Sequence, residues 1–347
     1  MKRTELLEAL RKVMPGVEEK NALLEGADSF MFDDKWVKTF NNEISASYPF
    51  DSGIKCLVKA QEFFKVVSRI ESDEIKMIML DDGKLQLSGG KTTLKMVSSD
   101  SSSILALVDN LALDGIKWVK LPANFISALR LTSSFATTDK AYSSLCGVSV
   151  ARDGLAASDR FRAGFYSMEV RSLKKEIVLP IGAVTELIKF EDVDEFSVGE
   201  AWIHFKSKTG LQFSMRQVKI DFPRQAIREF CSVDPSVLGE KYSFPEKLSQ
   251  SIEMASILTF SNEGSEYIDL TLDAKDNLLV TGAKQYGEIK EKILKDDKWS
   301  FPKNVTLKIN PKLLNRMLSL GRDFYLKENR YLLIKEGDFE SILALVV

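Results

Sequence analysis

The sequence predicts an α+β protein of three repeated domains, each made of two helix-plus-antiparallel-sheet halves. Three observations carry that expectation. A pattern of short amphipathic helix, strand, polar turn and second strand occurs three times, with copies about 120 residues apart, a spacing of domain size. A second set of the same shape falls between those copies. The chain of 347 residues, 44% apolar and 28% charged, has enough apolar material to bury several cores.

The first copy reads as a helix over 6–13, a strand at 29–32, a turn at 33–35 and a strand at 36–38. The second reads as a helix over 124–131, a strand at 147–150, a turn at 152–154 and a strand at 155–157. The third reads as a helix over 247–255, a strand at 268–272, a turn at 275–277 and a strand at 278–280. The interleaved set places helices over 60–70, 180–190 and 311–320, each followed by strands, at 74–80 and 84–87, 195–198 and 201–205, and 323–326 and 331–334. Leu6, Leu10 and Val13, or Leu313, Met317 and Leu320, make one apolar stripe on their helices. Pro122, Pro245 and Pro311 stand at or near first-turn positions, where a missing N–H costs nothing. Strands with one apolar face must pack that face on the helices. Turn and proline signals place the domains at 1–119, 120–242 and 243–347.

Composition then removes function classes. The formal charge of −2 advertises no global basic field, so a role on DNA must rest on locally placed charge or on topology. Cys56, Cys146 and Cys231 are scattered without metal-like spacing and read as small hydrophobes in a reducing compartment. The one histidine, His204, lies in an alternating strand pattern and reads as a half-buried or surface residue; triads and His–metal centres would all need it. Phosphate-loop signatures are absent, and Ser88-Gly89-Gly90-Lys91-Thr92 reads as a hairpin tip between two strands. Carboxylate pairs Asp33-Asp34 and Asp81-Asp82, the basis of a rival reading as a metal-dependent nuclease-type enzyme, fall in turns that favour Asp. The chain starts without the apolar run of a signal peptide, and no window approaches the roughly 18 apolar residues of a membrane span. The expectation is a cytoplasmic, non-enzymatic protein with no cofactor, metal or membrane partner.

Five segments give the repeat a family likeness: Leu145-Cys146-Gly147-Val148, residues 157–162 (Ala-Ser-Asp-Arg-Phe-Arg), Ile177-Val178-Leu179-Pro180, Asp221-Phe222-Pro223 and Ala255-Ser256-Ile257-Leu258. In that order and spacing, on a threefold repeat, the chain resembles the bacterial-type DNA polymerase sliding clamp, the beta subunit of DNA polymerase III, including versions encoded by phages. The resemblance covers nearly the whole chain. It implies a ring-shaped homodimer, closed head to tail around duplex DNA, that tethers a replicative DNA polymerase and is loaded by a clamp loader. The alternative is a clamp-like scaffold or decoy that binds replication proteins without encircling DNA.

The resemblance also implies three sites. The six helices sum to about +4 against about −6 for the rest, a mildly basic layer in an acidic protein. Lys65, Arg69, Arg130, Lys189, Lys312, Arg316 and Arg322 on or beside these helices would meet phosphates without reading bases, and Lys20 matches a family loop position near DNA. A pocket for partner peptides would be lined by Leu145, Ser158, Arg160, Phe161, Arg162 and Ala163, with Leu345, Val346 and Val347 as its floor. Here the chain departs from the family, which has Gly-His-Arg-Leu where this sequence has Arg160-Phe161-Arg162-Ala163, and which ends in Met-Pro-Met-Arg-Leu. Leu145 is expected on a strand, and Arg160 with Arg162 as a basic lip. The subunit contact would set exposed Leu94 and Met96, at a sheet edge, against Ile257 and Leu258.

Overall fold

The computed structural model describes residues 1–347 except 19–23, 100–101, 112, 114, 233, 260–265 and 347. Its contacts form two compact units, Met1–Arg130 with Ile177–Lys219, and Leu131–Glu176 with Ile220–Val347. Each unit joins strands that lie far apart in the sequence.

In the first unit an antiparallel sheet runs in the order Lys55–Lys59, Ser29–Asp33, Trp36–Phe40, Ile44–Pro49, Gln212–Arg216, Trp202–Ser207, Val193–Val198 and Val119–Lys120. The junction pairs Ile44–Pro49 with Gln212–Arg216, with Phe213 opposite Ala46. The Arg3–Val13 helix buries Leu6, Leu7, Leu10 and Val13, and Glu5 near its start and Arg11 and Lys12 near its end oppose its dipole. The Ala60–Arg69 helix buries Ala60, Phe63 and Val67, and the Phe63 ring meets Phe32 edge-on at 5.8 Å. A smaller sheet of Lys76–Met79, Lys84–Gly89 and Thr92–Val97 completes this core, with the expected hairpin turn at Gly90, φ +54°.

One helix in this unit was not expected. Ser102–Asp109 lies on the opposite side of the large sheet, where Ile104 and Val108 cluster with Met31, Phe40 and Leu57. Phe30 and Phe32 of the Ser29–Asp33 strand point into the main core, whereas Met31 points into this second one. A strand covered on both sides reads as a continuous apolar run, which hides the covering element from a period-based reading.

In the second unit one sheet runs Gly147–Ala151, Gly154–Ser158, Arg162–Ser167, Phe339–Ala344, Tyr331–Glu336, Asp323–Lys327 and Tyr242–Ser243. A second sheet runs Gly287–Ile293, Leu278–Lys284, Ile268–Leu272 and Leu307–Ile309. The Leu248–Ser256 and Pro311–Leu318 helices pack on each other, and the former lies on the Leu278–Lys284 and Gly287–Ile293 strands. Pro311 occupies the first turn, and Asn310 caps it by accepting from the Leu313 N–H at 3.1 Å. Pro122 and Pro245 stand a turn ahead of their helices instead, their carbonyls accepting from Phe125 and Leu248. A further unexpected helix, Arg224–Cys231, buries Ile227 and Cys231 against this unit's strands, anchored by Arg224, which bonds Ser149, Asp153 and the Gly154 carbonyl.

Candidate functional site

The helix cations differ in how much charge they have to offer. Lys65 and Arg69 are exposed on the Ala60–Arg69 helix, and neither forms an ion pair among the described residues. Arg316 and Arg322, at and beyond the end of the Pro311–Leu318 helix, are likewise exposed and outside any ion pair among the described residues. The other three are engaged. Arg130 donates to the Ile188 carbonyl at 2.6 Å and pairs with Glu191 at 3.2 Å. Lys189 pairs with Glu186 at 2.7 Å, one helical turn back. Lys312 pairs with Glu266 at 3.0 Å, a carboxylate only 7% exposed. Lys20 lies outside the described residues.

The segment 157–163 is a tight turn held by its own side chains. Asp159 accepts from the backbone N–H of Phe161 at 3.1 Å and of Arg162 at 2.7 Å, and Ser158 Oγ donates to the Arg162 carbonyl at 2.8 Å. The two arginines of this turn have opposite fates. Arg162 is 3% exposed, pairs with Asp159 at 2.7 Å, donates to the Ser134 carbonyl at 2.9 Å and stacks over Phe135 at 4.7 Å. It therefore cannot form part of a basic lip, and that expectation is corrected. Its charge is spent on closing the turn. Arg160 is exposed, with φ +79°, and its guanidinium lies over the rings of Tyr142 at 3.9 Å and Phe161 at 5.3 Å.

Around this turn Phe161 is 53% exposed, and its carbonyl accepts from Ala344 N–H at 2.8 Å, which brings the end of the chain alongside. Ala163 and Leu345 are buried, whereas Val346 is exposed, and Val347 lies outside the described residues. Leu145 is half-buried but not on a strand. It ends the 3₁₀ segment Lys140–Leu145, two residues before the Gly147–Ala151 strand, a second correction. That segment starts on Asp139, which accepts from Ala141 N–H at 3.0 Å, and it carries Tyr142, a residue that sequence reading passed over.

The edge positions are half-buried on one face and exposed on the other. Leu94 and Met96 face inward from the Thr92–Val97 strand and pack against the core of the first unit, while Val97 is 72% exposed. Leu94 and Met96 are only half-buried there, so part of each side chain stays accessible at the sheet edge. In the second unit Ile257 is 60% exposed and Leu258 half-buried. Met254 and Tyr286 are exposed as well, and the Tyr286 hydroxyl donates to the Leu258 carbonyl at 3.1 Å.

His204 is more deeply placed than expected. It is 5% exposed, its Nδ1 lies 2.8 Å from Ser214 Oγ, and burial pushes its pKa down to about 4. Burial likewise pushes the Cys56 thiol up to about 12. Asp33 is neutralised by Lys38 at 2.8 Å and Lys55 at 3.3 Å, and Asp82 by Lys84 at 2.6 Å. No group of three or more His, Cys, Asp or Glu side chains able to hold a metal ion occurs among the described residues. No described helix is long and apolar enough to cross a membrane.

No protein-family profile matches the sequence, and no curated protein is similar to it. Solved structures are another matter. The DNA polymerase sliding clamp from Bacillus subtilis superposes with a TM-score of 0.78 at 16% identity, over 100% of this chain and 98% of that one. The DNA polymerase III beta chain from Streptococcus pneumoniae TIGR4 gives 0.78 at 17% identity, with the same coverage of both chains. The beta subunit from Thermotoga maritima gives 0.76 at 14%, again over 100% of this chain and 98% of its own. Helices, antiparallel sheets and their order along the whole chain are those of the DNA polymerase sliding-clamp fold.

Proposed function

We propose that this chain is a DNA sliding clamp, a non-catalytic processivity factor that encircles duplex DNA and tethers a replicative DNA polymerase. The observation that carries the reading is the full-length likeness to the DNA polymerase sliding clamp from Bacillus subtilis, at a TM-score of 0.78. In this reading the sequence repeat marks three domains, 1–119, 120–242 and 243–347, and two chains close head to tail as a ring delivered by a clamp loader. The cations of the helix layer touch phosphates without reading bases. Lys65, Arg69, Arg316 and Arg322 form no ion pair among the described residues, while Arg130, Lys189 and Lys312 share their charge with acids. A partner peptide docks beside Leu145 and Phe161, with Val346 at the margin of that surface. Weak contacts suit the task, because closure rather than affinity then retains the DNA.

The test is topological. Protein loaded by a clamp loader with ATP onto nicked circular plasmid, then passed through a sizing column in moderate salt, should co-elute with the circle and be lost once a restriction enzyme linearises it. Equal retention on circular and linear DNA would replace encirclement by ordinary binding. No retention on either would favour the scaffold reading.

A further inference from the structure

We infer that Arg160, stacked on Tyr142 beside Phe161, is the specificity-determining residue of the partner surface and selects a carboxylate on the incoming peptide. The inference rests on the docking reading above and adds to it the chemistry of the occupant.

Two arginines in one turn supply the argument. The Arg162 guanidinium is buried and saturated by Asp159 and the Ser134 carbonyl. The Arg160 guanidinium has no hydrogen-bond or ion-pair partner among the described residues, although Asp159 is its chain neighbour. Asp159 is already committed to two backbone N–H groups and to Arg162. The donors of Arg160 are therefore displayed, and its fork geometry matches a carboxylate best.

The display is also held in place. Tyr142, 36% exposed, stacks on the guanidinium at 3.9 Å, and Phe161, 53% exposed, flanks it at 5.3 Å. A planar cation stacked on an aromatic ring keeps its edge available for in-plane hydrogen bonds, and it surrenders less side-chain freedom on binding than a loose arginine. The rings themselves offer an apolar patch for a neighbouring side chain of the peptide. Finally, Arg160 occupies φ +79°, a conformation that favours glycine, so the backbone at this position argues against arginine. An arginine at a position whose backbone favours glycine, with a guanidinium that makes no hydrogen bond or ion pair among the described residues, is explained by what that guanidinium binds.

The test uses the full chain and a phage-displayed library of random dodecapeptides. Selected peptides should pair Asp or Glu with an adjacent apolar residue. For a selected peptide, anisotropy should show about a tenfold loss of affinity on Arg160→Gly, and a similar loss when the peptide acid is changed to its amide. The two losses should not add. Arg160→Gly should also leave the unfolding midpoint no lower than that of the parent, which a structural arginine would not do. Peptides that lose affinity on Phe161→Ala yet show no acid dependence would overturn the role of Arg160 and leave the docking surface standing. Peptides indifferent to Phe161→Ala, or a library that yields no binder, would overturn both.

Discussion

His204 shows how much of a residue's behaviour is set by its surroundings rather than its type. Neutral in the folded chain, with a pKa near 4, it takes up a proton in the unfolded chain near the ordinary value of 6.5. The unfolded state then binds more protons as the pH falls from 6.5 toward 4, so stability declines through that window, by up to about 3 kcal/mol at its foot. Urea unfolding of the parent and of His204→Gln at pH 7.5 and pH 5 should show the parent losing more stability between the two; equal losses would assign the acid sensitivity elsewhere. Gly282 poses a steric case. A Cβ there would stand 1.9 Å from the Ala255 carbonyl oxygen, where the Leu248–Ser256 helix crosses the strand. Gly282→Ala should cost about 1–3 kcal/mol, as overpacking does, read as a lower urea midpoint with an unchanged slope. Neither feature was legible in the sequence. An alternating strand pattern named the element of His204 but not the depth of its burial, and nothing near Gly282 in the chain announces a helix crossing. The same holds for Arg160 and Arg162: their types were plain, but only the turn around Asp159 decides which one is spent internally.

Elements were far more legible than residues. All six helices of the repeat form near their expected places because each carries one apolar stripe and a polar face, a pattern that local sequence displays. The Ser102–Asp109 helix escaped because its apolar face covers the outside of a sheet already counted as one-sided. Edge strands bear on assembly. Thr92–Val97 and Gly287–Ile293 are each the last strand of their sheet, an arrangement that favours pairing with another chain. Val97 on the first, with Ile257 and Tyr286 beside the second, leave apolar surface at both places. If these are the two sides of the head-to-tail contact, light scattering should give twice the chain mass of 39.0 kDa for the parent, falling to 39.0 kDa for Ile257→Ala with Leu258→Ala. Val97→Lys should dissociate the pair equally. Leu94→Ala should instead lower the unfolding free energy, by less than the roughly 2–5 kcal/mol of a fully buried Leu, because that side chain packs partly against the core. A Leu94→Ala chain that dissociates with undiminished stability would place the contact on the face that the sequence reading chose.

At the scale of the whole molecule the proposed encirclement raises the question of how an acidic chain would meet a polyanion. The net charge of −2 gives no long-range attraction, so binding to duplex must come from the few helix cations not already neutralised. Among the described residues four of the proposed positions form no ion pair, Lys65, Arg69, Arg316 and Arg322. Each phosphate neutralised adds about −0.9 to the slope of log affinity against log salt, so four contacts give at most about −3.6 per chain. Binding to a linear duplex should accordingly be weak, indifferent to base sequence and largely gone at physiological salt. The individual cations should not count equally. Lys65→Ala should flatten the slope by close to one contact, whereas Lys189→Ala should change it less, because Glu186 at 2.7 Å already holds that ammonium. Anisotropy titrations of a labelled duplex across a salt series, with the parent and both variants, decide the point. Equal effects of the two substitutions would mean that local ion pairs do not govern which helix charges meet DNA. A slope well beyond about −7 for the two-chain ring, or a clear base preference, would describe a protein that grips DNA, and a gripping protein cannot slide.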